Sequence, residues 1–275
     1  MLRRMGQVAP NPLRNSKASY SLQDIGLQED LSVLVRRSSD DNTEGFNWNQ
    51  ITNGDLVNFV GVGNDGFVEI LYDRTGNGYH LENTNKPKQP QIVENGNLIL
   101  RNGIPGIYFG VTPNDTYLEN TSYPATGSNP ITIFTVSHQD IINNRPCLIN
   151  LGNGNTGSFG EVFSCTLEYG IRVNGGNKIF TQAQDISNIQ ISTFKLPTGQ
   201  TNVTGTKAYK NGTEISSTSD ASQVLNIQNG ILFGQYFSTV ADFRSFQGTI
   251  HEAHIYDTDQ TAEQSLIENS IINRY

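Results

Sequence analysis

Apolar and polar residues alternate along this chain at the two-residue period of β-strands, in short runs. Leu31, Val33 and Val35 lead into Arg36 as one strand facing a core. Leu56 to Val60, Phe67 to Tyr72, Ile131 to Val136, Ile189 to Ile191 and Ile231 to Phe233 are further runs of strand length. Asn-Gly pairs stand between such runs at 53–54, 95–96, 102–103, 174–175, 211–212 and 229–230. Asn-Gly accepts the positive φ angles of tight hairpins, so the spacing predicts a meander of short antiparallel strands. Two helices are expected. Ala18 to Ile25 reads as a short one packing Leu22 and Ile25. Thr261-Ala-Glu-Gln264 has the form of a capping box ahead of Leu266, Ile267, Ser270 and Ile271 at helical spacing, which predicts a closing helix over 261–273. Pro10 and Pro12 make residues 1–18 irregular. No internal repeat or linker divides the rest, so 19–275 is expected to be one all-β domain.

Composition narrows the setting. Charged residues make up only 16% of the 275 and there are 27 glycines, so much of the surface is neutral and amide- or hydroxyl-bearing. Such surfaces suit extracellular or virion proteins. The net charge is −8, but residues 1–17 carry Arg3, Arg4, Arg14 and Lys17 and no acid, leaving 14 basic against 26 acidic residues in the remainder. A polyanionic body excludes nucleic acid as the main ligand of the globular part. The basic arm is expected to anchor the chain to a neighbouring protein. Cys147 and Cys165 allow at most one bridge. The N-terminal residues lack a signal-peptide apolar run, and no stretch has the length of a membrane span. An external protein without a secretion signal is what a phage virion component would be.

Several motifs fail on their context. Gly61-Val-Gly-Asn-Asp-Gly66 matches the dinucleotide fingerprint in letters, but a strand-like run follows where a helix must open, so a hairpin turn is expected. His251 and His254 stand three apart in a strand and point to opposite faces, which excludes a shared zinc ion. Asp- and Asn-rich loops offer oxygens to calcium, yet no segment has EF-hand spacing. No metal or cofactor is therefore expected. A nucleophile elbow and a phosphate loop are both absent from the sequence.

The C-terminal part carries a more specific pattern. Ala208-Tyr-Lys-Asn-Gly212, Ile231-Leu-Phe-Gly234 and Phe246-Gln-Gly-Thr-Ile250-His-Glu252-Ala-His-Ile255-Tyr256 resemble the closing strands of concanavalin A-like and laminin G-like jelly rolls. In the N-terminal half, Tyr20-Ser-Leu, the Arg36 to Asp41 segment and the Tyr72 to Leu81 segment are similar to the catalytic module of α-L-arabinofuranosidase B, glycoside hydrolase family 54. Related modules occur in phage and bacterial surface proteins. The resemblance covers roughly residues 18–275.

The resemblance implies a jelly-roll β-sandwich, but the family's active-site features do not line up. Retaining glycosidases need two carboxylates about 5 Å apart. The family's nucleophile strand is matched by Asn174-Gly-Gly176-Asn177-Lys-Ile179-Phe180, which puts Gly176 where the nucleophilic Glu belongs. Its acid/base Asp has no counterpart after Ile231-Leu-Phe-Gly234, Asp242 lying too far along. Its adjacent cysteine pair corresponds to Pro146-Cys147. Glu161, Glu168 and Asp242 are the acids that would serve in another register.

The expectation is a non-enzymatic virion structural protein, a capsid decoration, head fibre or tail-associated part displaying a lectin-like module. The rivals are an active arabinofuranosidase-type hydrolase and a secreted or cell-surface adhesin or carbohydrate-binding module. Expected partners are other virion proteins through Arg3, Arg4, Arg14 and Lys17, host surface glycans, and further copies in a homo-oligomer, with neither nucleic acid nor membrane. Aromatic and amide side chains would then make any sugar contact. Trp48, Asp73, Asn77, His80 and Tyr236 are the candidates.

Overall fold

The computed structural model describes residues 11–27, 30–110, 116–141, 147–152, 163–166, 170–173, 176–180, 185–219, 224–235 and 245–275, with the backbone alone at 163–166, 170–173, 176–180 and 218–219. Along the chain come β1 (Ala18–Ser21), β2 (Val33–Arg37), β3 (Thr43–Phe46), α1 (Trp48–Thr52), α2 (Asp55–Val60), β4 (Gly66–Leu71), β5 (Leu81–Glu82) and β6 (Gln91–Glu94). Then follow β7 (Asn97–Leu98), β8 (Leu100–Arg101), β9 (Ile104–Pro105), β10 (Ile107–Phe109), β11 (Leu118–Asn120), β12 (Ile131–Gln139), β13 (Cys147–Leu151), β14 (Phe163–Thr166) and β15 (Gly170–Val173). The rest is β16 (Gly176–Phe180), β17 (Gln190–Leu196), β18 (Lys207–Lys210), β19 (Thr213–Glu214), β20 (Ser217–Ser219), β21 (Ile231–Phe233), β22 (Gly248–Tyr256) and α3 (Gln264–Ile272).

These strands pair antiparallel into a jelly-roll β-sandwich. The back sheet runs β19-β18-β17-β12-β22, and the far edge of β22 takes β1 along 252–255 and β10 along 248–250. The front sheet runs β3-β2-β4-β5-β11-β21-β13-β14-β15-β16-β20. Strand β6 pairs with both β4 and β10 and stitches one sheet to the other.

One core fills the space between the sheets, with Val33, Val35, Leu71, Leu81, Leu118 and Phe233 of the front meeting Tyr20, Ile133, Phe194, Ile250 and Ile255 of the back. The back sheet is apolar on its other side too. There Phe134, Val136, Ile191 and Tyr256 pack against Ile267 and Ile271 of α3 and against Leu13 and Ile25. A sheet covered on both faces loses the simple in-out alternation, which is why β12 is apolar at Ile133 and Phe134 alike.

The turns follow the sequence reading at three places. Asn95-Gly96, Asn102-Gly103 and Asn211-Gly212 have positive φ at both positions and close two-residue hairpins between β6 and β7, β8 and β9, and β18 and β19.

Four expectations are corrected. Residues 18–25 do not form a helix: Ala18 to Ser21 is a strand on β22, since a short isolated helix is marginal whereas the β22 edge offers a full ladder. Leu56 to Val60 is helical, and Leu56 and Val60 reach the core four residues apart, a spacing a short apolar run does not distinguish from a strand. The Gly61–Gly66 segment therefore joins a helix to β4 rather than closing a hairpin. The closing helix starts at Gln264 and not at Thr261, whose hydroxyl bonds Asp259 at 2.5 Å and accepts from buried Lys195 at 3.0 Å.

The arm also differs from expectation where it is described. Asn11 to Lys17 folds back on its own sandwich: Leu13 is buried under α3, and the Lys17 N–H donates to Ile255 O at 2.6 Å. One buried leucine and this pairing supply what two prolines withhold. Arg14 is exposed, while Lys17 lies near Asp257 and 5.5 Å above the Tyr79 ring. Arg3 and Arg4 lie outside the described residues.

Candidate functional site

The Tyr72 to Leu81 motif forms a tight loop between β4 and β5. Asp73 is fully buried at its root. Its carboxylate accepts from the Ser19 N–H at 3.0 Å, the Thr75 N–H at 3.0 Å, the Thr75 hydroxyl at 2.8 Å and the Tyr79 N–H at 3.2 Å. Gly76 and Gly78 take the positive φ angles of 84° and 79° that this closure requires. Asn77 donates its amide to Lys17 O at 3.0 Å, and the Tyr20 hydroxyl donates to Tyr79 O at 2.5 Å. Asp73 and Asn77 thus staple the loop to the strand and segment beside it. The Arg36 to Asp41 motif is equally structural. Arg36 lies 4.8 Å over the Phe67 ring and bonds Gln89 and Asp41, and Arg37 pairs with Asp40 at 2.6 Å.

His80 differs. Its Nδ1 accepts the Asp73 N–H at 3.0 Å, and its ring meets Tyr72 edge-on at 5.0 Å. The structure therefore brings Asp73, Asn77 and His80 into one loop. Trp48 opens α1, half-buried, and by register lies at the same end of the front sheet, because Phe46 pairs with Val33 and Val33 with Leu71. Tyr236, Glu161, Glu168 and Asp242 fall outside the described residues. Gly176 begins β16, opposite Val173.

The front sheet's outer face carries the remaining chemistry. Leu71, Leu81 and Leu118 point into the core, so the residues on either side of each face outward. Those residues are Ile70 on β4 with Tyr72 just past its end, Glu82 on β5 with His80 just before it, and Glu119 on β11 with Tyr117 just before it. Ile70 is register-paired with Glu82, and Glu82 with Glu119. Glu82 is exposed; Ile70, Tyr72, His80, Tyr117 and Glu119 are half-buried. Paired residues on neighbouring strands hold their Cβ atoms about 4.5–5.5 Å apart, so two carboxylates stand side by side here. Partial burial raises both tyrosine hydroxyls above their ordinary range, helped by Glu69 at Tyr72 and Glu119 at Tyr117, so both are neutral donors. Register carries the pairing on from Glu119 to Leu232 and then Asn150, both buried. Of this set only His80 was singled out from the sequence. The signal that finds Glu82 and Glu119 is their place directly after buried leucines on paired strands.

A second constellation sits in the back sheet. The Ser19 hydroxyl bonds His254 Nδ1 at 2.7 Å, and His254 Nε2 bonds Glu252. Glu252 also holds Arg274, the Tyr275 hydroxyl at 2.9 Å and the Ser21 hydroxyl at 3.2 Å. Serine, histidine and glutamate in this order are the parts of a hydrolytic triad. Here Ser19, His254 and Glu252 are at most 1% exposed, so no substrate reaches them and the set acts as a structural polar network. His251 turns elsewhere, to Pro105 O at 2.7 Å and Thr249 at 3.0 Å. Among the described residues no three His, Cys, Asp or Glu side chains come together as a metal site.

No family model matches the chain, and no curated protein matches its sequence. Solved structures share its fold. An arabinofuranosidase complexed with arabinofuranosyl-α-1,2-xylobiose superposes with a TM-score of 0.66 at 17% identity, over 94% of this chain and 62% of that one. A GH54 α-L-arabinofuranosidase soaked with a cyclic sulfate inhibitor gives 0.65 at 15% identity over the same shares, 94% and 62%. The binding domain of Paraclostridial Mosquitocidal Protein 1 gives 0.50 at 13% identity, over 89% of this chain and 53% of that one. The chain thus spans under two thirds of the length of each. At these identities the likeness is one of fold, and it carries the jelly-roll resemblance drawn from the terminal motifs.

Proposed function

We propose that this protein is a non-catalytic, lectin-like module that binds glycans on the outer face of its front sheet. The observation that carries the reading is the row of Tyr72, His80, Glu82, Tyr117 and Glu119 set outward by three buried leucines. Aromatic rings pack on the apolar faces of sugar rings, and carboxylates, tyrosine hydroxyls and an imidazole read the hydroxyls around them. A fold neighbour complexed with arabinofuranosyl-α-1,2-xylobiose supports a carbohydrate ligand. The non-catalytic part rests on Gly176, which has no side chain at the position the resemblance gives to a nucleophile.

The finer reading is display on a virion, with exposed Arg14 and the basic residues Arg3 and Arg4 anchoring the module to a neighbouring protein. The amide- and hydroxyl-rich composition supports it. Deleting residues 1–10 should leave a folded sandwich that no longer enters its assembly; unchanged incorporation would refute the anchor.

The main test is a glycan array probed with the purified chain, alongside turnover of 4-nitrophenyl α-L-arabinofuranoside. Dose-dependent glycan binding without release of 4-nitrophenol is expected. Hydrolysis that disappears in Glu161→Gln, Glu168→Gln or Asp242→Asn would establish the enzyme reading instead.

A further inference from the structure

We infer that Tyr72, His80 and Glu82 form a hydroxyl-reading corner that accepts neutral or amino-substituted sugars and turns away acidic ones. The inference rests on the glycan-binding reading and adds the class of ligand and the residues that select it.

The donor is fixed first. The Asp73 N–H points at His80 Nδ1, so the neutral imidazole carries its proton on Nε2. That arrangement is not adjustable, because the Asp73 carboxylate is itself tied to Ser19, Thr75 and Tyr79 and holds its own backbone in place. Nδ1 being occupied from within, Nε2–H is the imidazole's remaining hydrogen-bonding group. The Tyr72 ring, edge-on at 5.0 Å, limits how the imidazole can turn.

The acceptor stands beside it. Glu82 follows His80 by two residues, with buried Leu81 between them, and is exposed. Among the described residues Glu82 has no ion pair, and an ionised carboxylate only accepts. A sugar presenting two neighbouring hydroxyls fits this order: one accepts from Nε2–H and the other donates to Glu82. An amino group on the ring does as well or better, since an ammonium is a stronger donor to a carboxylate. A uronic or sialic carboxylate would meet the exposed Glu82 carboxylate, with Glu69 on the adjoining strand. Like charges at such spacing repel, and the protein's net charge of −8 adds to this at longer range.

The test uses the full chain and three immobilised probes: arabino- and xylo-oligosaccharides (neutral), chitosan oligosaccharides (amino) and oligogalacturonate (acidic). Neutral and amino probes are expected to bind, and oligogalacturonate at least tenfold more weakly. Glu82→Gln should weaken the neutral and amino probes about tenfold while narrowing the gap to the acidic one. His80→Phe keeps the packing on Tyr72 but removes the Nε2 donor, together with the acceptor for the Asp73 N–H, and should lose a similar factor, which His80→Gln partly restores. Thermal melting within a degree or two of wild type confirms that each variant is folded. Equal or tighter binding of oligogalacturonate overturns the inference, as does binding that neither Glu82→Gln nor His80→Phe alters. In both cases glycan binding itself still stands. If no probe binds, the glycan reading fails and this inference with it.

Discussion

A carboxylate, a histidine and a hydroxyl meet twice in this molecule, and the two places behave in opposite ways. In the back sheet Glu252, His254 and Ser19 are sealed between β1, β22 and the C-terminal residues, with half-buried Tyr275 beside them, and their polar atoms are paired. On the front sheet Glu82, His80 and Tyr72 offer the same groups with Glu82 exposed, Tyr72 and His80 half-buried, and His80 fixed from one side only. Inventory does not separate them; coverage does. The back sheet is roofed by α3 and by residues 11–25, and its polar groups bind one another. On the front sheet Tyr72, His80 and Glu82 flank buried leucines, and these are the groups the glycan proposal uses.

Glu252→Ala has the largest effect expected in the back sheet. It would leave Arg274 and His254 facing a buried void, and breaking a buried pair from one side costs about 3–5 kcal/mol. Urea unfolding should show a loss of that order, with glycan binding by the folded fraction changed less than twofold. A loss below about 1 kcal/mol would mean the network does not hold the C-terminus to the sheet. Burial alone would raise the Glu252 pKa, but the attraction and hydrogen bonds of His254 and Arg274 outweigh it and leave it at about 2. Its contribution is therefore present above the ordinary carboxylate range and is lost only as the pH falls toward 2.

The next effect comes from His251, one strand position from that network. Burial lowers its pKa to about 4, against a smaller upward pull from the Pro105 carbonyl. The unfolded chain then binds more protons than the folded one between the ordinary value of about 6.5 and that figure. Stability should be full above about pH 6.5 and fall as the pH drops toward 4, by at most about 3 kcal/mol. Unfolding midpoints across that range should slope in the wild type and flatten in His251→Gln. A flat wild-type profile would show that this imidazole is not buried as a neutral group.

Asp73→Ala tests the loop that joins the two regions, since Ser19 gives its N–H to Asp73 and its hydroxyl to His254. Three backbone N–H groups would lose their acceptor, and a loss of about 2–3 kcal/mol is expected. Binding should fall as well, because the loop that fixes His80 loosens. Lost binding with unchanged stability would make Asp73 a direct sugar ligand and not a structural one.

Much of this was legible in the chain, and the gaps have physical causes. Asn95-Gly96, Asn102-Gly103 and Asn211-Gly212 specify their hairpins through backbone preference alone, so a local reading finds them. Strand β2 and the buried face of β22 follow from period. Helix α2 was missed because Leu56, Val57, Phe59 and Val60 satisfy either period over so few residues. Strand β1 was missed because Ser19 and Ser21 become favourable in a strand only through His254 and Glu252, more than two hundred residues away. Asp73, Asn77 and His80 were recognised as a cluster, but a sequence does not say which members spend their hydrogen bonds inside the loop. Glu82 lies in a two-residue strand with no period to read. Its exposure, and Glu119 beside it, are set by long-range register.

The smallest effect has the opposite sign and sharpens the comparison most. Glu82 faces Glu119 directly across two neighbouring strands. Like charges in that position destabilise a sheet by up to about 1 kcal/mol. Glu82→Gln should therefore leave stability unchanged or raise it slightly, within that bound, while glycan binding falls. The same class of substitution in the back sheet lowers stability and spares binding. Unfolding midpoints at low salt and at about 1 M salt would check the origin of the gain, since screening at short Debye length should erase it. If Glu82→Gln instead destabilised the protein as Glu252→Ala is expected to, the front-sheet carboxylate would be a structural group, and the open face would lose its claim to a ligand.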